Sequence, residues 1–317
     1  MTPAETIRGR NHEKLRDELE VLLEVLIDPL VEDVWVNPDG SAWVNRRGIG
    51  SERLEIIYYP EQIRNVINSV AAINQTVVNA SFPVIEAVLP FGGERFEGIV
   101  PPMSDAPMFA IRPRPRSVYT LDDYVELEVL SSFHARCLKA FLAERQNILI
   151  VGGTGAGKTT LLNASLRYIA EHCPQDRIVT IEDTLEIQCE SVNRVSLHAI
   201  IGFPMARCLV SALRLRPTRI IVGEVRGPEA LDLLKAWNTG HPGGLSTVHA
   251  NNARAGLLRL EALAREATEA PQQHFIAQAI NYIAFLAEDR SAPAGRRLRE
   301  LVHVTGYRDG EYQLEVL

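Results

Sequence analysis

The stretch ILIVGGTGAGKTTLL, residues 148–162, decides how the rest of the chain is read. Ile148 to Val151 is a short apolar run of the kind that fills a buried strand, and Leu161 to Ile169 continues with helical spacing. Between them Gly152, Gly153, Thr154, Gly155, Ala156, Gly157, Lys158 and Thr159 match GxxxxGK[ST] in the strand-to-helix setting that the motif requires. Such glycines let the backbone wrap a phosphate, with successive N–H groups pointing inward at a helix N-terminus. Lys158 is placed to neutralise β and γ oxygens and the Thr159 hydroxyl to ligate Mg²⁺, with Thr160 ending the run of nucleotide-binding residues. ATP and Mg²⁺ are the expected ligands. The plain alternative is a glycine-rich turn with a chance lysine, but Lys14, Lys139, Lys158 and Lys235 are the only lysines among 33 basic residues.

Outward from this loop, short apolar strands at Asn147 to Val151, Arg177 to Ile181, Arg219 to Val222 and Leu245 to Val248 alternate with helical patterns. The helices are predicted at Ser132 to Arg145, Lys158 to Ala170, Ala206 to Leu215 and Pro228 to Trp237. This alternation predicts an α/β domain over 131–317, a mostly parallel sheet with helices on both faces. Upstream, Leu15, Leu19, Leu22, Leu23, Leu26 and Ile27 mark one face of a helix over Glu13 to Ile27, and Asp33 to Asn45 reads as a hairpin around Pro38, Asp39 and Gly40. A helix from Pro60 with Ile63, Val66, Ile67 and Val70 buried, then strands at Ile85 to Leu89, Arg95 to Val100 and Met108 to Arg112, complete a small α+β N-terminal domain over 1–111. Arg112 to Arg116, RPRPR, blocks helix and favours extended chain, so the linker is placed at 112–130. Thr120, with Asp122 and Asp123 after it, reads as the cap of either a turn or a helix.

Of 317 residues, 46% are hydrophobic and 23% charged, as in ordinary globular chains. The net charge of −7 supplies no global positive field for a polyanion, so direct nucleic-acid binding is not expected. Cys137, Cys173, Cys189 and Cys208 make no CxxC pair and are read as reduced, half-buried thiols, with neither a disulfide framework nor a structural metal. Arg8, Arg10 and Lys14 open the chain, and Glu24, Asp28, Glu32 and Asp33 interrupt the apolar stretch after them. That pattern suits neither a signal peptide nor a membrane span, so any membrane association is expected to be peripheral.

Three further segments carry chemistry. RIIVGEVR, residues 219–226, is a buried strand ending in Glu224, the candidate general base; the other reading is a strand-end glutamate paired with Arg219 or Arg226. RIVTIED, 177–183, ends in Glu182 and Asp183, which point to opposite faces if the strand persists. Glu182 is favoured for a water or metal role, against a merely structural contact. In GHPGGLSTVHANN, 240–252, His249 could contact the γ-phosphate while His241 orients a neighbour, or both could be structural; Gly240, Gly243 and Gly244 make a mobile loop plausible. Arg95, Arg112, Arg114 and Arg116 could bring positive charge to the phosphates from outside the core, although a solvated stiff linker is the better reading of Arg114 and Arg116.

With the phosphate loop, TIEDTLE at 180–186, IIVGEVRG at 220–227 and TGHPGGLSTVHANN at 239–252 in this order, the chain resembles the type IV secretion and type II/IV traffic ATPase family over nearly its whole length. The resemblance implies a RecA-like P-loop domain preceded by the small α+β domain, and a cytoplasmic homohexamer docked on inner-membrane secretion-channel components. It implies that Lys158 and Thr159 bind phosphate and Mg²⁺, that Glu224 is the catalytic glutamate, Glu182 the acidic-box carboxylate and His249 the γ-phosphate sensor. Arg95 in GGERFEG and Arg112 in FAIRP fall where the family places phosphate-contacting arginines. The expected function is ATP hydrolysis powering pilus assembly or substrate transfer in conjugation. A pilus-type motor, a DNA-pumping motor and a nucleotide-gated scaffold with little turnover are the alternatives. The absence of a four-cysteine zinc module favours the shorter conjugation and type IV secretion branch.

Overall fold

The computed structural model describes residues 3–46, 48–114, 118–200 and 202–317, with side chains described from residue 9 onward. The chain divides into two compact units, Met1–Arg116 and Ser117–Leu317. Pro115, Arg116 and Ser117 of the expected linker lie outside the described residues.

The first unit runs α1 (Pro3–Val25), β1 (Val31–Val36), β2 (Ser41–Arg46), β3 (Gly50–Ile57), α2 (Pro60–Ile73), β4 (Val84–Val88), β5 (Arg95–Ile99) and β6 (Met108–Arg112). Its sheet has the order β3-β2-β1-β6-β5-β4, and the pairings are antiparallel. Leu15, Leu19, Leu22 and Leu26 join Ile63, Val66, Ile67 and Val70 over the buried residues of this sheet, as period-3.6 apolar faces should. Ile27 departs from the expected helical face. The helix stops at Val25, and Ile27 falls beyond its last turn with 57% of its surface exposed. Pro60 at the first helical position starts α2, and the Gln62 side chain accepts a hydrogen bond from the Tyr59 N–H at 2.8 Å. Strand β3 was not predicted; Glu52, Arg53 and Glu55 give it an exposed, charged pattern with little apolar alternation.

The second unit runs α3 (Leu121–Glu126), α4 (Ser132–Ala143), β7 (Ile148–Gly152), α5 (Lys158–His172), β8 (Ile178–Glu182), β9 (Arg194–His198), α6 (Met205–Ala212), β10 (Arg219–Val222), α7 (Glu229–Asn238), β11 (Leu245–His249), α8 (Ala253–Arg265), α9 (Gln273–Ala279), β12 (Tyr282–Glu288), β13 (Arg296–Arg308) and β14 (Glu311–Val316). Thr120 proves to cap a short helix: its hydroxyl accepts from Asp123 N–H at 3.0 Å while Asp123 accepts from Thr120 N–H at 2.6 Å. The sheet order is β14-β13-β12-β7-β11-β10-β8-β9. From β12 to β9 the neighbours are parallel, and β13 and β14 add an antiparallel margin, so the sheet is mixed but mostly parallel.

Each face of the parallel strands has its own core. Leu149, Val151, Ile220 and Val222 pack with α6, α7, α8 and α9, whereas Ile148, Ile150, Ile221 and Leu245 pack with α3, α4 and α5. This is the period-2 alternation of strands buried on both sides. No helix among the described residues is long and apolar enough to cross a membrane. Cys137, Cys173 and Cys189 are partly buried, Cys208 is buried, and all are free thiols.

Candidate functional site

Strand β7 delivers the glycine loop, and α5 starts at Lys158 after Gly155 and Gly157 have turned the backbone through φ of +75° and +86°. Side chains with a Cβ rarely adopt that region, so these two positions require glycine. Lys158 is 7% exposed and its ammonium is held inward: Nζ donates to the Gly153 carbonyl at 3.0 Å and lies 3.1 and 3.3 Å from the two ring nitrogens of His249. Burial pulls its pKa below the ordinary lysine value, against the opposing pull of Glu224 and Glu186.

In the order β7-β11-β10-β8, neighbouring parallel strands end on one edge, and their ends carry Gly152, His249, Glu224 and Glu182 side by side. The carboxyl ends of parallel strands are where α/β sheets place ligand sites. Burial, and then the Lys158 charge, push the His249 pKa below the usual histidine value, against an upward pull from Glu224. The imidazole is therefore neutral at pH 7 and can accept a hydrogen bond from Lys158. His249 Nε2 lies 2.9 Å from Glu224 Oε1, and the buried Oε1 completes no hydrogen bond. Glu224 Oε2 accepts from Arg226 at 2.6 Å, and the same guanidinium donates to Asp183 Oδ2 at 3.1 Å. Of the two arginines considered as partners for Glu224, Arg226 holds it; Arg219 opens β10 at its opposite end.

Glu182 is 3% exposed, and its Oε2 accepts from the backbone N–H groups of Glu186 and Ile187 at 2.7 and 2.8 Å. It thereby closes the loop that follows β8. His198 Nδ1 lies 3.9 Å from Glu182 Oε1. The strand ends at Glu182, so alternation does not carry Asp183 to the far face; Thr159, Glu182, Asp183 and Glu224 line one cleft. Oxygen donors of this kind, with a buried carboxylate oxygen still to be satisfied, fit Mg²⁺, which takes one or two protein oxygens and completes its shell with phosphate and water.

The structure separates the other histidine from this group. His241 precedes β11, so it sits at the opposite edge of the sheet from His249, where its Nδ1 lies 3.1 Å from the Pro217 carbonyl. Two of the neighbouring glycines, Gly243 and Gly244, are closely packed, whereas nothing lies within 4 Å of where a Cβ would stand at Gly240. A methyl group at Gly244 would overlap the Trp237 indole, the Gly244 N–H donates to Asn147 Oδ1 at 2.9 Å, and its carbonyl accepts from the Ile148 N–H at 3.0 Å.

In the first unit Arg95 and Arg112 stand directly opposite each other on β5 and β6. Like charges in register repel, and Asp33 compensates, accepting from Arg112 Nε at 2.7 Å. The Arg114 side chain lies against Gly93. The antiparallel margin of β13 and β14 is absent from the sequence reading, although Asp309-Gly310, a turn dipeptide with both residues at positive φ (53° and 80°), lies between their alternating apolar residues.

The model of a type II/IV secretion system protein family matches residues 17–289. The chain is 46% identical over 303 residues to a conjugal transfer protein TrbB of Rhizobium radiobacter, covering 95% of this chain and 93% of that one. It is 42% identical to a probable conjugal transfer protein TrbB of Sinorhizobium fredii, covering 96% and 91%. Among solved structures, the Legionella pneumophila ATPase DotB superposes with a TM-score of 0.65 at 22% identity, covering 90% of this chain and 80% of that one, a likeness of fold.

Proposed function

The chain belongs to the type II/IV secretion system protein family, and from that premise we propose that it is a Mg²⁺-dependent ATP hydrolase that powers a type IV secretion or conjugative apparatus. Residues 131–317 form the RecA-like ATPase domain in this reading, 1–111 the N-terminal domain and 112–130 the linker. The working form is a homohexamer on the cytoplasmic side, peripherally docked on inner-membrane channel components.

The observation that carries the reading is the pairing of a glycine loop, whose lysine is drawn inward, with a carboxylate that has one oxygen tied and one unsatisfied. Arg226 fixes Glu224 through Oε2, which leaves Oε1 to take a proton from an attacking water. Lys158 exchanges its hydrogen bonds with the Gly153 carbonyl and His249 for phosphate oxygens. His249, between Lys158 and Glu224, registers that exchange, which is the physical content of a γ-phosphate sensor. Glu182 holds the acidic loop in place, and Asp183 and the Thr159 hydroxyl face the cleft with it. Magnesium bound with the nucleotide neutralises phosphate oxygens. Arg95 and Arg112 act as further cationic residues in turnover.

Phosphate release tests the reading. The wild-type protein should release phosphate from ATP with Mg²⁺ and stop when the metal is chelated. Arg112→Ala should lower the rate by at least about tenfold, as loss of a phosphate-stabilising arginine does, with an unchanged unfolding midpoint. No release by the wild type overturns the enzyme assignment; a wild-type rate in the variant removes Arg112 from it.

A further inference from the structure

Two glycines of the loop are pressed against the hairpin formed by β12 and β13. At Gly152 the space of a side chain is taken by the Leu286 carbonyl, 2.6 Å from where a Cβ would stand. At Gly157 it is taken by the guanidinium of Arg296, with Nη1 2.5 Å and Cζ 3.4 Å from that point. Arg296 is the first residue of β13, and its Nε donates to the Ala294 carbonyl at 3.3 Å. Arg297 and Arg299 both approach Asp289, at 3.7 and 3.1 Å, and Arg297 also pairs with Glu128. Among the described residues no carboxylate pairs with Arg296, although Glu288 stands opposite it in register. The turn that presents it is braced: the Asp289 N–H donates to the Gly295 carbonyl, and Asp289 Oδ1 accepts from Ser291 N–H at 3.0 Å and Oγ at 2.5 Å.

An uncompensated guanidinium laid on a phosphate-binding loop calls for an anion. The sheet order says which part of the nucleotide it meets. Strand β7 has β11, and beyond it β10, on one side and β12 on the other, so the hairpin flanks the loop on the side away from His249 and Glu224. Glu224 marks the end where the terminal phosphate is attacked. We propose that Arg296 binds the α-phosphate of the nucleotide, at the end of the site away from the chemistry. The inference rests on reading the glycine loop as a nucleotide site.

The test measures ATP, ADP and AMP affinity, with Mg²⁺, of the full-length wild type, Arg296→Ala and Arg296→Met. Both variants should bind ATP and ADP about tenfold more weakly, the loss expected for a charge-assisted phosphate contact. The loss should be equal for the two nucleotides and should appear with AMP, whose one phosphate is the α-phosphate; a loss with ATP and ADP but not with AMP would place Arg296 at the β-phosphate and overturns the proposal. It should be as large with Met, which keeps an aliphatic stem over Gly157, as with Ala. Arg296→Lys, which keeps the charge without the planar fork, should fall between. Unchanged affinity overturns the proposal, as does a loss confined to ATP, which would place Arg296 at the γ-phosphate. Wild-type affinity in the Met variant would reduce Arg296 to packing. Failure of the wild type to bind either nucleotide overturns the reading of the loop instead.

Discussion

Glu224→Gln is expected to bind ATP within about threefold of wild type and to lose turnover by about 10²–10⁴, the usual contribution of a positioned general base. The substitution is nearly isosteric, and a glutamine carbonyl oxygen can still accept the Arg226 hydrogen bond that Glu224 Oε2 accepts at 2.6 Å. What disappears is the basicity of the buried oxygen that completes no hydrogen bond. The loop, Lys158 and the Thr159 hydroxyl are untouched, so binding and chemistry should separate cleanly. Phosphate release within threefold of wild type would move the base elsewhere, with Asp183, in the same cleft, the next group to replace.

The second large effect concerns stability, at the opposite edge of the sheet. Asp176, 1% exposed, accepts from Arg145 Nη2 and from Arg219 Nε, both at 2.5 Å, and Arg219 is fully buried at the start of β10. Arg219 also reaches toward the Gly243 carbonyl at 3.5 Å, so one carboxylate ties the end of α4, the approach to β8, the start of β10 and the turn before β11. Asp176→Ala leaves Arg219 charged and buried without its counter-ion, which costs about 3–5 kcal/mol. For a unit of this size that lowers the unfolding midpoint by roughly 10 °C. Urea unfolding of the variant should show the loss, and Asp176→Leu combined with Arg219→Met should recover much of it by removing both charges. A single-variant loss below about 1 kcal/mol would mean that the pair is effectively solvated.

The sequence was most readable where one short segment contains the whole physical requirement. Residues 148–162 specify a strand, a loop needing positive φ and a helix start, all within a few residues, and β7, Gly155, Gly157 and α5 follow that reading. Glu224 was legible as an acid just after a buried strand, and Arg226 as a partner within reach of it. Other features depend on neighbours remote in sequence. Gly244 reads as freedom until Trp237 is found against it, and His241 resembles His249 until the strand direction places them at opposite edges. Arg296 lies 139 residues after Gly157, and no local pattern announces their contact. The Asp309-Gly310 turn is a local cue for the β13–β14 hairpin.

Equilibrium binding of ATP with Mg²⁺ to the wild type and to Lys158→Ala, followed by calorimetry, tests the central claim most directly. Lys158 is a buried cation of the loop, held beside His249, and a phosphate in the cradle would supply its counter-charge. The expected result is saturable 1:1 binding per chain in the wild type and a loss of affinity of at least about 100-fold in the variant, since a buried charged contact to phosphate is worth roughly 3 kcal/mol. Equal affinity in the two proteins, or no binding by the wild type, would contradict the assignment of Gly152 to Thr160 as the nucleotide site.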